Sequence, residues 1–224
     1  MRNIYLIGHM ASGKTKVGQL LAEMLNINFV DTDTNIERLF GKSINAIFKD
    51  EGETQFRIFE TAVLQQTTLI DSTVISTGGG ILTRMRNGLY MKDFGFVIYL
   101  KIDINTQMTR LLTDEELSKR PIVKNCKDEA ELHAKLVDLH EKRNLTYEYF
   151  ADYTVAVKNK SPMAIVEEII AFLNNNKIIS QRDFLDSFAG RVQHNPYKRI
   201  RRAKVEKDGE SSGEEKEYQF LDNE

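Results

Sequence analysis

Gly8, Gly13, Lys14 and Thr15 stand at the spacing G-x-x-x-x-G-K-T in GHMASGKT (residues 8–15), after the apolar run NIYLI and before VGQLLAEML, whose apolar spacing is helical. Glycines let the backbone of such a loop curl so that successive N–H groups point inward, and the helix that follows adds the positive end of its dipole. The guest suited to this cradle is a polyphosphate. Ala11, Ser12, Gly13, Lys14, Thr15 and Lys16 would surround it, with Lys14 reaching the β- and γ-phosphates and the Thr15 hydroxyl on Mg2+. His9 reads as a filler of a variable position. The motif names a phosphoryl donor, ATP or a relative, and leaves the acceptor open.

Three further clusters bear on the acceptor. Asp31 and Asp33 lie two apart in FVDTDT, and extended chain would turn both carboxylates to one side. One carboxylate could order Mg2+ and the other accept a proton from an incoming hydroxyl; the alternative is a turn or N-cap role ahead of NIERLF. Arg57 and Glu60 lie three apart in IFKDEGETQFRIFE, near Phe48 and Phe56. Taken alone, that spacing describes an exposed pair worth ~0.3–0.5 kcal/mol, with the phenylalanines in the core. Gly78, Gly79 and Gly80 follow the strand-like VIST, where three glycines are entropically costly unless something must approach the backbone closely. Ser76 and Thr77 occupy the place where many phosphate-loop proteins end a strand in a metal-ordering aspartate, which leaves Asp31 as the nearest candidate.

These residues need a scaffold that gathers strand ends. Apolar runs of strand length recur at residues 3–7, 27–31, 73–77, 96–101 and 153–157, separated by segments of helical periodicity. Such alternation predicts an α/β fold, a five-stranded parallel sheet flanked by helices in three layers. A helix over 161–174 opens with Ser-Pro, a favoured start. Beyond it the composition changes to a basic block and then an acidic, Gly- and Ser-containing stretch. We therefore expect a domain over 1–174 and a charged extension over 175–224, partly disordered or a short helix, whose partner the sequence does not name. Ile178, Phe184, Leu185 and Phe188 could form one helical face within it.

The 224 residues, 41% hydrophobic and 29% charged, suit one such domain. A net charge of −2 does not favour nucleic acid, and no apolar run approaches the ~20 residues that span a bilayer. A single cysteine, Cys126, allows no internal disulfide and reads as a bystander, and a cytoplasmic monomer is the expectation. His133 and His140 fall on one helical face, which reads as a solvated stripe.

In order, GxxxxGKT, DTD, F...GE..FR..E, GGG, RP and KR...Y closely resemble the shikimate kinase family over residues 1–174. The resemblance implies transfer of the ATP γ-phosphoryl group to the 3-hydroxyl of shikimate. It makes Asp33 the base, and Arg57 with Arg143 the clamp on the acceptor carboxylate. Glu60 would hold Arg57, Phe48 and Phe56 would wall the pocket, and Gly78–Gly80 would lie against the ring. Arg120 would close over the phosphates from a lid, while Arg110, Lys160 and Pro162 would lie near adenine. The chain departs from the family at Lys16, where Thr or Ser is usual, and at Ala11, where many members have glycine. The stretch RLLTDEELSKR is a few residues longer than a compact lid. Two rivals remain: a kinase of the same architecture acting on gluconate or a nucleoside monophosphate, and a non-catalytic regulatory relative.

Overall fold

A computed structural model describes residues 1–113, 121–123 and 126–179. The five strands are β1 (Asn3–Ile7), β2 (Asn28–Asp31), β3 (Thr73–Ser76), β4 (Gly95–Lys101) and β5 (Tyr153–Ala156). All pair in parallel, in the order β2-β3-β1-β4-β5. The helices are α1 (Lys14–Leu25), α2 (Thr32–Phe40), α3 (Ile44–Thr67), α4 (Met85–Phe94), α5 (Ile104–Thr113), α6 (Glu129–Phe150) and α7 (Pro162–Asn175).

Parallel strands covered on both faces read as unbroken apolar runs, and the pleat then sorts alternate residues to opposite sides. Ile4 and Leu6 of β1 join Val74, Ile98, Leu100 and Val155 in a core beneath α1 and α7. Tyr5 and Ile7 face the other way and pack with Ile75, Val97, Tyr99, Tyr147 and Phe150, under α4 and α6. This is the expected three-layer arrangement, with strand ends within a residue of those expected.

Helix starts follow the side chains available. Asp31, Ser43, Asp128 and Ser161 each accept a bond from a backbone N–H three residues on, satisfying a donor that the helix itself leaves open. Helix α3 is broken at Gly52, where φ of 79° is left-handed. The break lets the segment after it, carrying Glu53, Arg57 and Glu60, run independently of Ile44–Phe48.

Ile178 and Ile179 fold back on the α1–α7 core, Ile179 being buried. The rest of the extension, including Phe184, Leu185 and Phe188, lies outside the described residues, as does Arg120. Truncating a buried isoleucine loses its transfer energy and leaves a void. Ile179→Ala is expected to destabilise the protein by about 2–4 kcal/mol with unchanged turnover, as measured by denaturant unfolding alongside a rate assay.

Candidate active site

The carboxyl ends of three neighbouring strands carry the chemistry: the loop after β1, the aspartates after β2 and the glycines after β3. Ligands of open α/β sheets bind at such ends, near the point where strand order reverses. Around them lie two adjoining hollows.

The first is a groove lined by Ala11, Ser12, Gly13, Lys14, Thr15 and Lys16 together with Asp31, Ser76, Thr77, Arg110, Lys160 and Pro162. Gly13 is the N-cap of α1 and has no side chain to cap it, so the first-turn N–H groups are available to an anion. The Lys14 ammonium donates to the carbonyls of Gly8 (2.9 Å) and His9 (2.8 Å), which aims it across the loop. Ala11 has φ of 60°, a left-handed conformation costly for a residue with a Cβ and one that glycine would adopt freely. Its carbonyl accepts from Arg110 Nη1 at 3.0 Å, which places Arg110 at the loop, while Lys160 pairs with Glu168 at the groove edge.

Thr15 Oγ1 donates to Asp31 Oδ2 at 2.8 Å, and Asp31 Oδ1 accepts the N–H of Thr34 at 3.1 Å. The N-cap alternative therefore holds for Asp31: one oxygen caps α2 and the other accepts the Thr15 hydroxyl. No cluster of three or more His, Cys, Asp or Glu exists among the described residues. Two hard oxygens at a phosphate groove fit Mg2+, which keeps several waters and takes its remaining ligands from phosphate. Ser76 is buried, and the Thr77 hydroxyl donates to the Leu6 carbonyl, so Thr77 fixes the strand end.

The second hollow is lined by Met10, Asp33, Ile44, Phe48, Phe56, Arg57, Glu60, Gly78, Gly79, Gly80, Pro121, Ile122 and Arg143. It thus gathers every residue the sequence assigned to the acceptor. Asp33 and Gly79 line both hollows and stand at their junction.

Arg57 and Glu60 are not the exposed pair that their spacing suggests: they are 7% and 1% exposed. Sheet and loop cover this turn of α3, which a helix-surface rule cannot foresee. Arg57 Nη1 donates to Glu60 Oε2 at 2.5 Å and Nη2 to Glu53 Oε1 at 2.8 Å, and the guanidinium lies against the rings of Phe56 and Phe48. Two glycines make room for this packing. A Cβ on Gly78 would stand 2.5 Å from Glu60 Oε1 and 2.6 Å from Asp33 Oδ1, and one on Gly80 would land on the Arg57 guanidinium. The close approach read from the triplet is thus made in part by the protein's own charged side chains. Burial pushes the Glu60 carboxyl up to about 7, opposed by Arg57 and reinforced by Asp33. Arg143 Nη1 and the Tyr147 hydroxyl both donate to the Gly79 carbonyl, at 2.9 and 2.5 Å.

The shikimate kinase family model matches residues 10–174. The chain belongs to the shikimate kinase family. The shikimate kinase of Rippkaea orientalis is 43% identical over 169 residues, 75% of this chain and 86% of the relative. That of Psychromonas ingrahamii is 38% identical over 173 residues, 77% and 97% of the two chains. The solved structure of shikimate kinase from Acinetobacter baumannii in complex with shikimate superposes with a TM-score of 0.73 at 36% identity, covering 80% of this chain and 96% of that one. A gluconokinase from Sinorhizobium meliloti, 17% identical with a TM-score of 0.50, shares the fold.

Among the residues that mark a shikimate kinase, Glu53 and Tyr147 stood in the motifs without a role, and sequence reasoning missed Met10, Ile122, Asn144 and the histidines. His9 fills no merely variable position: it is 1% exposed and stacks on His140 with centroids 3.9 Å apart and parallel rings. His140 is buried while His133 is exposed, because the loop and α5 cover only one end of the shared face. Burial holds His9 down to about 3; its bond to Asn144 opposes this, while His140, Arg143 and Lys14 assist. A histidine kept neutral in the fold but free to protonate when unfolded costs stability as pH falls from about 6.5 toward 3. Glu60, raised from its ordinary 4.5 to about 7, acts in the opposite sense and favours the fold more as pH falls through that interval. Thermal midpoints of the unsubstituted chain and of His9→Phe, taken from pH 8 to 4, share the Glu60 effect. Their difference should therefore shift steadily in favour of the variant below about pH 6.5, and a constant difference would contradict the assignment.

Proposed function

We propose that this member of the shikimate kinase family transfers the γ-phosphoryl group of ATP to the 3-hydroxyl of shikimate. The observation that carries this reading is the place of Asp33, common to the walls of the phosphate groove and of the arginine-lined hollow. A nucleotide in the groove and a small acid in the hollow would meet there.

In this reading Lys14 and the first turn of α1 hold the β- and γ-phosphates, and Arg110 and Lys160 border the adenine. Thr15 and Asp31 would hold Mg2+, which when bound would offset the negative charge of the phosphates. Arg57 and Arg143 grip the acceptor carboxylate; a guanidinium meets a carboxylate through two parallel N–H bonds, so the ring is fixed in orientation. Phe48 and Phe56 wall the ring, and Gly78–Gly80 let it approach the backbone. Asp33 takes the proton from the acceptor hydroxyl as its oxygen bonds to the γ-phosphorus. The bond from that phosphorus to the β,γ-bridging oxygen breaks, and ADP leaves with the electron pair. Arg120, outside the described residues, is assigned the closing charge over the phosphates on the family resemblance alone. No helix among the described residues is long and apolar enough to cross a membrane; a cytoplasmic monomer is part of the same proposal, as is a kinase domain over 1–174 followed by an extension over 175–224 whose Ile178 and Ile179 pack on the domain core.

A gluconate kinase of this architecture is the alternative. Gluconate also carries a carboxylate that the guanidiniums could hold, so the discriminating feature is the wall of Phe48 and Phe56, which favours a ring over an open polyol chain. ADP release with shikimate, quinate, gluconate and nucleoside monophosphates tests the choice, with turnover expected for shikimate above the others. Asp33→Asn keeps the size and removes the basic oxygen, so turnover is expected to fall ~10²- to 10⁴-fold with nucleotide affinity nearly unchanged. Parental turnover in that variant would remove Asp33 from its role, and no turnover of the unsubstituted chain with any acceptor would favour a binding protein.

A further inference from the structure

Behind the phosphate loop lies a buried polar cluster that the reaction above does not use. The His9 ring, stacked on His140, bonds through Nε2 to Asn144 Oδ1 at 2.9 Å. That oxygen also accepts from the Tyr99 hydroxyl at 3.1 Å, so the His9 nitrogen is the donor. His140 Nε2 meets Gln107 Oε1 at 2.8 Å, and Gln107 Nε2 donates to the Met10 carbonyl at 3.0 Å. The Tyr147 ring stands edge-on to His9 at 5.0 Å.

These contacts close a circuit through both hollows. The His9 carbonyl receives the Lys14 ammonium, and Met10 lines the groove and the acceptor hollow alike. Asn144 is the chain neighbour of Arg143, which with Tyr147 bonds to the Gly79 carbonyl. Gly79 in turn packs so tightly on the loop that a Cβ there would stand 3.2 Å from the Met10 nitrogen. Loop, α6 and glycine turn are therefore held to one another, and beside the apolar packing of Met10 on Leu132, Leu136 and Leu139, His9 is a polar link from the loop to α6.

We propose that His9 is a positioning residue: by its stack on His140 and its bond to Asn144 it sets the phosphate loop, with Lys14, against the α6 turn that presents Arg143. Two histidine rings in parallel contact tolerate little charge. Facing them are Arg143 on α6, Lys14 on α1 and, toward His140, Asp103 ahead of α5. The pair works as neutral, hydrogen-bonded rings. A displaced loop would still bind nucleotide and acceptor but would bring phosphorus and hydroxyl together out of line, a misplacement that lowers kcat more than affinity.

The test rests on the shikimate reaction proposed above, so the unsubstituted chain is run in the same assay; absence of turnover there would speak against that reaction, not against the loop's link. His9→Phe keeps a flat ring and removes the N–H. It is expected to lower kcat about tenfold or more while each KM, for ATP and for shikimate, moves less than about threefold. His9→Gln, which keeps an N–H for Asn144, is expected to recover part of the loss. Should the phenylalanine variant unfold, Asn144→Ala decides, since it removes the partner from α6 and leaves the loop sequence intact; the same selective loss of kcat is expected. Variants that lower the melting temperature but leave kcat within about twofold would overturn the proposal and leave the cluster a purely structural one.

Discussion

A guanidinium taken out of water and left charged is the constraint around which this acceptor site is arranged. Burying Arg57 alone would cost several kcal/mol, and a paired carboxylate offsets that only with good geometry. Glu60 supplies the inner partner and Glu53 the outer one, with two aromatic rings against the guanidinium face. The cost shows on Glu60, whose carboxyl is pushed up to about 7 despite the arginine. Gly78 and Gly80 accommodate the same pair, because a Cβ at either position would force those charged groups to shift. The pair, the glycines and the break at Gly52 that frees this part of α3 together fix a buried cation at the wall of the second hollow.

The parallel sheet brings that device to the phosphate loop. With β3 between β2 and β1, the glycine turn lies between the aspartates and the loop, and the loop's Met10 packs directly on Gly79. The shared wall at Asp33 follows from strand order. Helix α6 then braces the arrangement from the other side, through Arg143 and Tyr147 on the Gly79 carbonyl and through the histidine stack on the loop.

Local patterns made the strands, the phosphate loop and the Ser161 cap legible, since apolar alternation and capping act within a few residues. The acceptor residues were legible only as an ordered set of motifs. An Arg and a Glu three apart look the same on a wet helix face and in a buried corner, and only the glycine triplet hinted at crowding. For Asp31 the N-cap reading was the one met by the fold. The histidine pair gave no local sign: His9 and His140 are 131 positions apart and meet through topology. On α6 the buried positions Leu132, Leu136, Leu139, Tyr147 and Phe150 define a stripe, and His140 flanks it, so helical spacing read against its own apolar neighbours rather than against His133 was the available clue.

The central claim is that Arg57, buried and held between two glutamates, grips the acceptor by its carboxylate. Equilibrium titration of the parent and of Arg57→Lys, each with shikimate and with an analogue lacking the carboxylate, tests it most directly. An ammonium keeps the charge but cannot form two parallel bonds to a carboxylate. The substitution should therefore weaken shikimate far more than the analogue; equal weakening of both would show that Arg57 shapes the hollow without holding the acid.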